Sequence, residues 1–205
     1  MTVENSVDKF AFIGPASVGK TTMTGIFRNR FVGDPRVTII DEGAEIFFNS
    51  HPDITGNFVD VQERLQDFVL AREKAVASQP QTRLIVSDRS VIDTIVYTQT
   101  YDNVENADRL LQRVKSWLPT YTSFILLSPS GVPDDPRPAR LESKDERLAI
   151  YEKFGEFCEG NNLPYVDITG TIQERADTIH RVIFDRVADK TIFENPQNGF
   201  QAEQI

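Results

Sequence analysis

The string Gly14-Pro15-Ala16-Ser17-Val18-Gly19-Lys20-Thr21 constrains this chain more than any other feature. It fits G-x-x-x-x-G-K-[ST] and stands between an apolar run, Phe10 to Ile13, and a helical pattern carried by Met23, Ile26, Phe27 and Phe31. A strand that turns through such a loop into a helix aims the loop amides and the first-turn amides at one point, a geometry that holds phosphates. Side chains would block that approach, which is why glycine flanks the string. Lys20 is expected to face solvent and reach β- and γ-phosphate oxygens, Thr21 to offer its hydroxyl to Mg²⁺, and Thr22 to complete the first turn.

The rest of the chain repeats a short apolar run followed by a longer helical stretch. Val37 to Ile40, Leu84 to Val86, Phe124 to Leu127 and Pro164 to Ile168 read as further strands, each continuously apolar as in strands covered on both faces. The predicted fold is α/β: a three-layer P-loop NTPase with a five-stranded, mainly parallel sheet and helices on both faces. Phe58, Val61, Leu65, Phe68, Arg72 and Val76 follow three- and four-residue spacing and predict a long amphipathic helix. Ser143 with Glu146 and Thr171 with Glu174 predict two later helix starts through capping boxes. Gly33-Asp34-Pro35 ends the first helix. The Pro- and Asp-rich SPSGVPDDPRPAR after the fourth strand predicts a mobile lid over about 129–147.

At 205 residues with 40% apolar content the chain supports one core, so a single domain over 1–189 is expected, followed by a polar tail, 190–205, that is either frayed or strapped to the surface. There is no 18-residue apolar run and no basic, apolar leader, which predicts a cytoplasmic protein with no membrane contact. Cys158, the only cysteine, reads as packing. His51 and His180 lack metal-ligand spacing. A net charge of −9 disfavours an extended nucleic-acid surface, yet it leaves room for a local basic cleft and for an acceptor carried on nucleic acid.

Downstream residues separate the possible chemistries. Two D-x-x-G strings, Asp53 to Gly56 and Asp167 to Gly170, lie away from the strand that would carry a γ-phosphate switch. No guanine-reading N-K-x-D follows the fourth strand, where Leu127-Ser128-Pro129-Ser130 stands instead. The third strand exits through Ser87-Asp88-Arg89-Ser90 and the second through Asp41-Glu42-Gly43-Ala44-Glu45, both at the carboxyl edge where parallel sheets bind ligands. Three acids within five residues are each able to take a proton from a hydroxyl. Arg137, Arg140 and Arg147 flank the lid, a place from which arginines close over phosphates. Gly170, between Thr169 and Thr171, permits backbone approach to a flat ring, and a simple turn reads as well there. Phe47, Phe48 and Tyr97 suit either a base pocket or the core.

With these residues the chain resembles P-loop nucleoside and nucleotide kinases. Ser87-Asp88-Arg89-Ser90 is similar to the acidic-Arg pair of deoxynucleoside and thymidylate kinases, which implies that Asp88 serves the metal with Thr21 and that Arg89 serves the transferring phosphoryl group. Glu42 matches the carboxylate that takes the acceptor's proton in nucleoside-kinase-like proteins, with Asp41 and Glu45 as substitutes. The resemblance implies a lid role for Arg140 and an adenine contact for Gly170. The P-loop, Glu42, Asp88, the lid and Leu163-Pro164-Tyr165-Val166-Asp167 together resemble the kinase domain of ribosylnicotinamide kinases over residues 8–188. Glu45 stands where that family tends to place an Arg, and Asp88-Arg89-Ser90 is closer to the deoxynucleoside-kinase form. The implied activity is transfer of the γ-phosphoryl group of ATP, with Mg²⁺, to a hydroxyl of a nucleoside or nucleotide-like substrate, in a monomer or a homodimer. The alternatives are a hydroxyl on DNA or RNA, such as a 5′ end or 5-hydroxymethyluracil, and a regulatory ATPase switch.

Overall fold

The computed structural model describes residues 7–131 and 142–194. Among them, β1 (Asp8–Ile13), β2 (Val37–Ile40), β3 (Leu84–Asp88), β4 (Ser123–Leu127) and β5 (Tyr165–Ile168) form one sheet in the order β2-β3-β1-β4-β5. Every pairing is parallel. The crossovers carry α1 (Lys20–Arg30), α2 (Gly43–Ser50), α3 (Phe58–Ala77), α4 (Val91–Tyr101), α5 (Val104–Val114), α6 (Lys144–Gly160) and α7 (Ile172–Arg186).

The unbroken apolar runs of the inner strands feed two cores, because successive residues point to opposite faces. Ala11, Ile13, Phe124 and Leu126 pack with α4, α5 and α6, whereas Phe10, Phe12, Ile125 and Leu127 pack with α1 and α7. The expectation of two covered faces holds for β1, β3 and β4 only. In β2 and β5, which close the sheet edges, only Ile40 and Ile168 are buried. An edge strand has one neighbour and lies under the margin of the helical layers, so its outer residues stay partly wet.

The capping boxes before α6 and α7 form as the sequence predicts. Cys158 is fully buried in α6, and that burial pushes its thiol up to about 12, as suits packing. Ile192 is also fully buried, and Phe193 stands edge-on to Phe31 and Phe184, so the start of the tail packs on the α1 and α7 face. Phe193 also covers His180, whose imidazole burial lowers to about 4. Asp167 of one D-x-x-G string accepts a hydrogen bond from the Tyr151 hydroxyl, and Asp53 of the other is exposed.

At the start of β1 a buried ionic cluster fixes α3 against the sheet. Lys9 Nζ donates to Glu73 Oε2 at 3.0 Å and lies 3.9 Å and 3.6 Å from the ring centroids of Trp117 and Tyr121. Glu73 also accepts from Trp117 Nε1 and Tyr121 Oη at 2.7 Å each. Burial lowers Lys9 to about 8 although Glu73 pulls the other way, so the cluster depends on every donor keeping its acceptor. Glu73→Ala is expected to cost about 3–5 kcal/mol by urea denaturation, because it strands Lys9, while Lys9→Met combined with Glu73→Leu recovers only the part due to the stranded charge, since Trp117 Nε1 and Tyr121 Oη still lack their acceptor. A single-mutant cost below about 1 kcal/mol contradicts this reading.

Candidate active site

The P-loop leaves β1 and enters α1. Gly14 adopts φ +132°, and a Cβ there would stand 2.9 Å from the Leu127 carbonyl oxygen, so this corner admits no side chain. Ser17 also takes the left-handed conformation, at φ 66°. No side chain caps α1, which leaves its first-turn amides to an anion in the loop. Thr21 and Thr22 are exposed on that turn.

Lys20 departs from expectation. It is 4% exposed, and its Nζ donates to the carbonyl oxygens of Gly14 at 2.8 Å and Pro15 at 2.5 Å. The stem folds back across the loop because the loop's own carbonyls are the acceptors within reach. Burial, and then the charge of Arg89, lower Lys20 to about 8 against the pull of Asp93, Asp88 and Glu42.

The sheet register assembles the acidic side of the site. Phe12 pairs with Asp88 and Ile40 with Ser87, so the exits of β1, β2 and β3 lie side by side. Asp88 is 3% exposed, and neither carboxylate oxygen has a hydrogen bond of normal geometry. Burial raises its pKa, opposed by Lys20 and by the nearby Thr21 hydroxyl. A buried carboxylate without donors is costly unless a cation joins it. Asp88 with the Thr21 hydroxyl therefore fits Mg²⁺, which takes one or two protein oxygens and completes its shell with phosphate and water. Among the described residues, no cluster of three acids, histidines or cysteines forms a self-sufficient metal cage.

Arg89 stands at φ 69°, held there by its N–H, which donates to Phe12 O at 3.0 Å. Its Nε donates to Glu42 Oε1 at 2.5 Å and its Nη1 to Asp93 Oδ1 at 3.2 Å. Glu42 is the residue from which α2 departs, an eight-residue helix too short and too weakly patterned to be visible in the sequence. Of the other two acids, Asp41 is exposed and pairs with Arg28, and Glu45 is exposed on α2. Asp93 closes a capping box with Ser90 at the start of α4, a signal present in the string Ser90-Val91-Ile92-Asp93. One turn on, Tyr97 donates from its hydroxyl to Glu142 Oε1 at 2.9 Å, and Glu142 Oε2 accepts from the Ala16 amide at 3.0 Å. Nothing local in the sequence marks Glu142 or Tyr97 for this arrangement.

These groups surround a cleft of about 240 Å³ between the P-loop, the strand exits and α3. Leu65, Val69 and Phe48 give it an apolar lining and Tyr97, Glu42 and Asp88 a polar one, whereas Phe47 belongs to the core. On the other side of the P-loop, Gly170 adopts φ +102°. Arg175, 2% exposed, donates to four carbonyls: Gly170 at 2.7 Å, Val18 at 3.0 Å, Ser128 at 2.8 Å and Ser130 at 2.7 Å. Arg147 is partly buried on α6, while Arg137 and Arg140 lie outside the described residues.

The family model described as an AAA domain, AAA_28, matches residues 9–175. No curated protein matches the sequence. Among solved structures, a NadR protein in complex with NAD and AMP-PNP superposes with a TM-score of 0.66 at 17% identity, over 90% of this chain and 51% of that one. Thymidylate kinase from Ehrlichia chaffeensis gives 0.59 at 14% identity, over 88% of this chain and 97% of that one. Deoxyadenosine kinase from M. mycoides with bound dATP gives 0.56 at 14% identity, over 86% and 98%. The chain thus spans about half the length of the NadR proteins it matches, and at these identities the likeness is one of fold. The chain belongs to the AAA_28 family of AAA domains and is built on the three-layer P-loop fold that it shares with these kinases.

Proposed function

We propose that this protein is an ATP-dependent phosphotransferase, a P-loop kinase that moves the γ-phosphoryl group onto a hydroxyl of a small nucleoside-like acceptor held in the cleft. One observation carries the reading: Asp88, a buried carboxylate whose two oxygens have no hydrogen bond of normal geometry among the described residues, lines an acceptor-sized cavity beside the P-loop. A hydrolysing switch needs no such cavity. The AMP-PNP named with one of the superposable structures supports an adenine nucleotide as donor.

Residues 14–22 receive the nucleotide phosphates, and Thr21 with Asp88 would hold Mg²⁺, which would supply neutralisation of the phosphate charge. Lys20 exchanges the Gly14 and Pro15 carbonyls for phosphate oxygens, a trade in which an ammonium gains anionic partners. Arg89 engages one oxygen of Glu42, and the other accepts the hydroxyl's proton as the oxygen attacks phosphorus. Arg89 itself lies beside the developing charge, and Arg140 adds a second guanidinium from the lid at about 129–147. Gly170 lets the backbone approach the adenine ring. The reaction suits residues 1–189 as the working domain and the cytoplasm as its place, and among the described residues no helix is long and apolar enough to cross a membrane.

Lys20 binds phosphate only while protonated, and in the free protein it titrates near 8. Affinity for ATP is therefore expected to fall as pH rises above about 8, up to about tenfold per unit, until the raised pKa of the bound state is passed. Calorimetric titration at pH 7 and pH 9.5 measures this, and an unchanged Kd contradicts the role of Lys20. The two carboxylates should fail differently in transfer from γ-labelled ATP. Glu42→Gln keeps shape and loses the base, so transfer falls by about 10²-fold or more at every Mg²⁺ concentration. Asp88→Asn weakens a metal contact, so added Mg²⁺ restores part of its loss by mass action. Rescue of Glu42→Gln but not of Asp88→Asn reverses the roles, and near-normal Glu42→Gln moves the base to Asp41 or Glu45.

A further inference from the structure

We propose that the acceptor carries no phosphate or carboxylate of its own: the cleft is built for an uncharged or cationic hydroxyl compound, a nucleoside and not a nucleoside monophosphate. This deepens the kinase reading and rests on it. The first ground is charge. Among the described residues, six carboxylates line the cleft; Glu73 is held by Lys9 and Asp41 by Arg28, which leaves Glu42, Asp88, Asp93 and Glu142 against the two lining guanidiniums, Arg72 and Arg89.

Both guanidiniums are engaged by the protein. Arg89 spends Nε on Glu42 and Nη1 on Asp93, so its fork is not presented to an incoming anion. Arg72 donates from Nη1 to the Asp41 carbonyl oxygen and lies 5.6 Å from the Phe68 ring centroid. Lys20 belongs to the P-loop and serves the donor's phosphates. A dianionic acceptor would enter with no free partner among these cations and would meet Asp88, whose own oxygens already lack donors. Such repulsion is little screened where water is excluded.

The second ground is chemical and independent of the count. When the acceptor is a hydroxyl, its oxygen forms a bond to the γ-phosphorus, the bond from that phosphorus to the β–γ bridging oxygen breaks, ADP leaves, and the hydroxyl proton must go to a base. Glu42 stands at the cleft to receive it. A phosphate acceptor has its second ionisation near 6 and at neutral pH brings an oxygen already free of its proton. A carboxylate beside such a reacting phosphate has no proton to take and only repels it, while a phosphate carried elsewhere on a hydroxyl acceptor is disfavoured by the charge ground alone. The cleft wall points the same way, since Leu65, Val69 and Phe48 offer an apolar surface to an uncharged ring.

The test uses the full chain with Mg²⁺ and γ-labelled ATP against two matched pools: the common ribo- and deoxynucleosides with nicotinamide riboside, and the 5′-monophosphates of the same compounds. Label is expected to enter the nucleoside pool faster by at least about tenfold, the ratio of a single lost charge contact. Equal or faster labelling of the monophosphates overturns this inference and leaves the kinase reading standing. Label that appears only as inorganic phosphate in both pools, or no turnover in either, overturns the kinase reading and this inference with it.

Discussion

One guanidinium holds together the loops on which the P-loop side of the site is built. Arg175 donates to the carbonyls of Val18, Ser128, Ser130 and Gly170, which belong to the exits of β1, β4 and β5. Each carbonyl turns inward, and each left unpaired would cost about 1–3 kcal/mol. Only a planar, five-donor fork reaches four acceptors in different directions, and an ammonium does not. The shape of the P-loop is thus set partly from behind, by a residue that begins on α7 and never faces the cleft.

The cleft side is organised by a second guanidinium under strain. Arg89 leaves β3 in a left-handed conformation that a non-glycine residue adopts at a cost, and the backbone bond to Phe12 holds it there. The reward is position: from that corner Arg89 touches Glu42 from the β2 exit and Asp93 from α4, while Tyr97 and Glu142 continue the chain of contacts to the Ala16 amide. P-loop and cleft wall therefore share one polar network. Asp88, left outside that network, is the group with an unmet need.

What was legible in the sequence was local. The P-loop string, the apolar strand runs and the two later capping boxes each act over a few residues, and the inner strands, α1, α6 and α7 follow from them. The edge strands were legible as strands but not as edges, because an apolar tetrapeptide reads the same at the margin of a sheet as at its centre. The burial of Lys20 depends on the loop's own carbonyls, which no residue pattern encodes. Arg175 reaches Val18 across 157 residues and Glu142 reaches Ala16 across 126, so both look like ordinary surface charges until the chain is folded. Asp93 was legible in principle, as the acid of a Ser-x-x-Asp box hidden inside an apolar helix.

The proposed kinase reading, with Glu42 as the base beside a P-loop that takes ATP, requires that ATP wait for a hydroxyl. Steady-state ADP formation by the full chain, with Mg²⁺ and with or without a mixed nucleoside pool, tests that claim most directly. Turnover is predicted to be slow with ATP alone and to rise by at least about tenfold when acceptor is present. An equal rate without acceptor would contradict it and mark the protein as a hydrolysing switch.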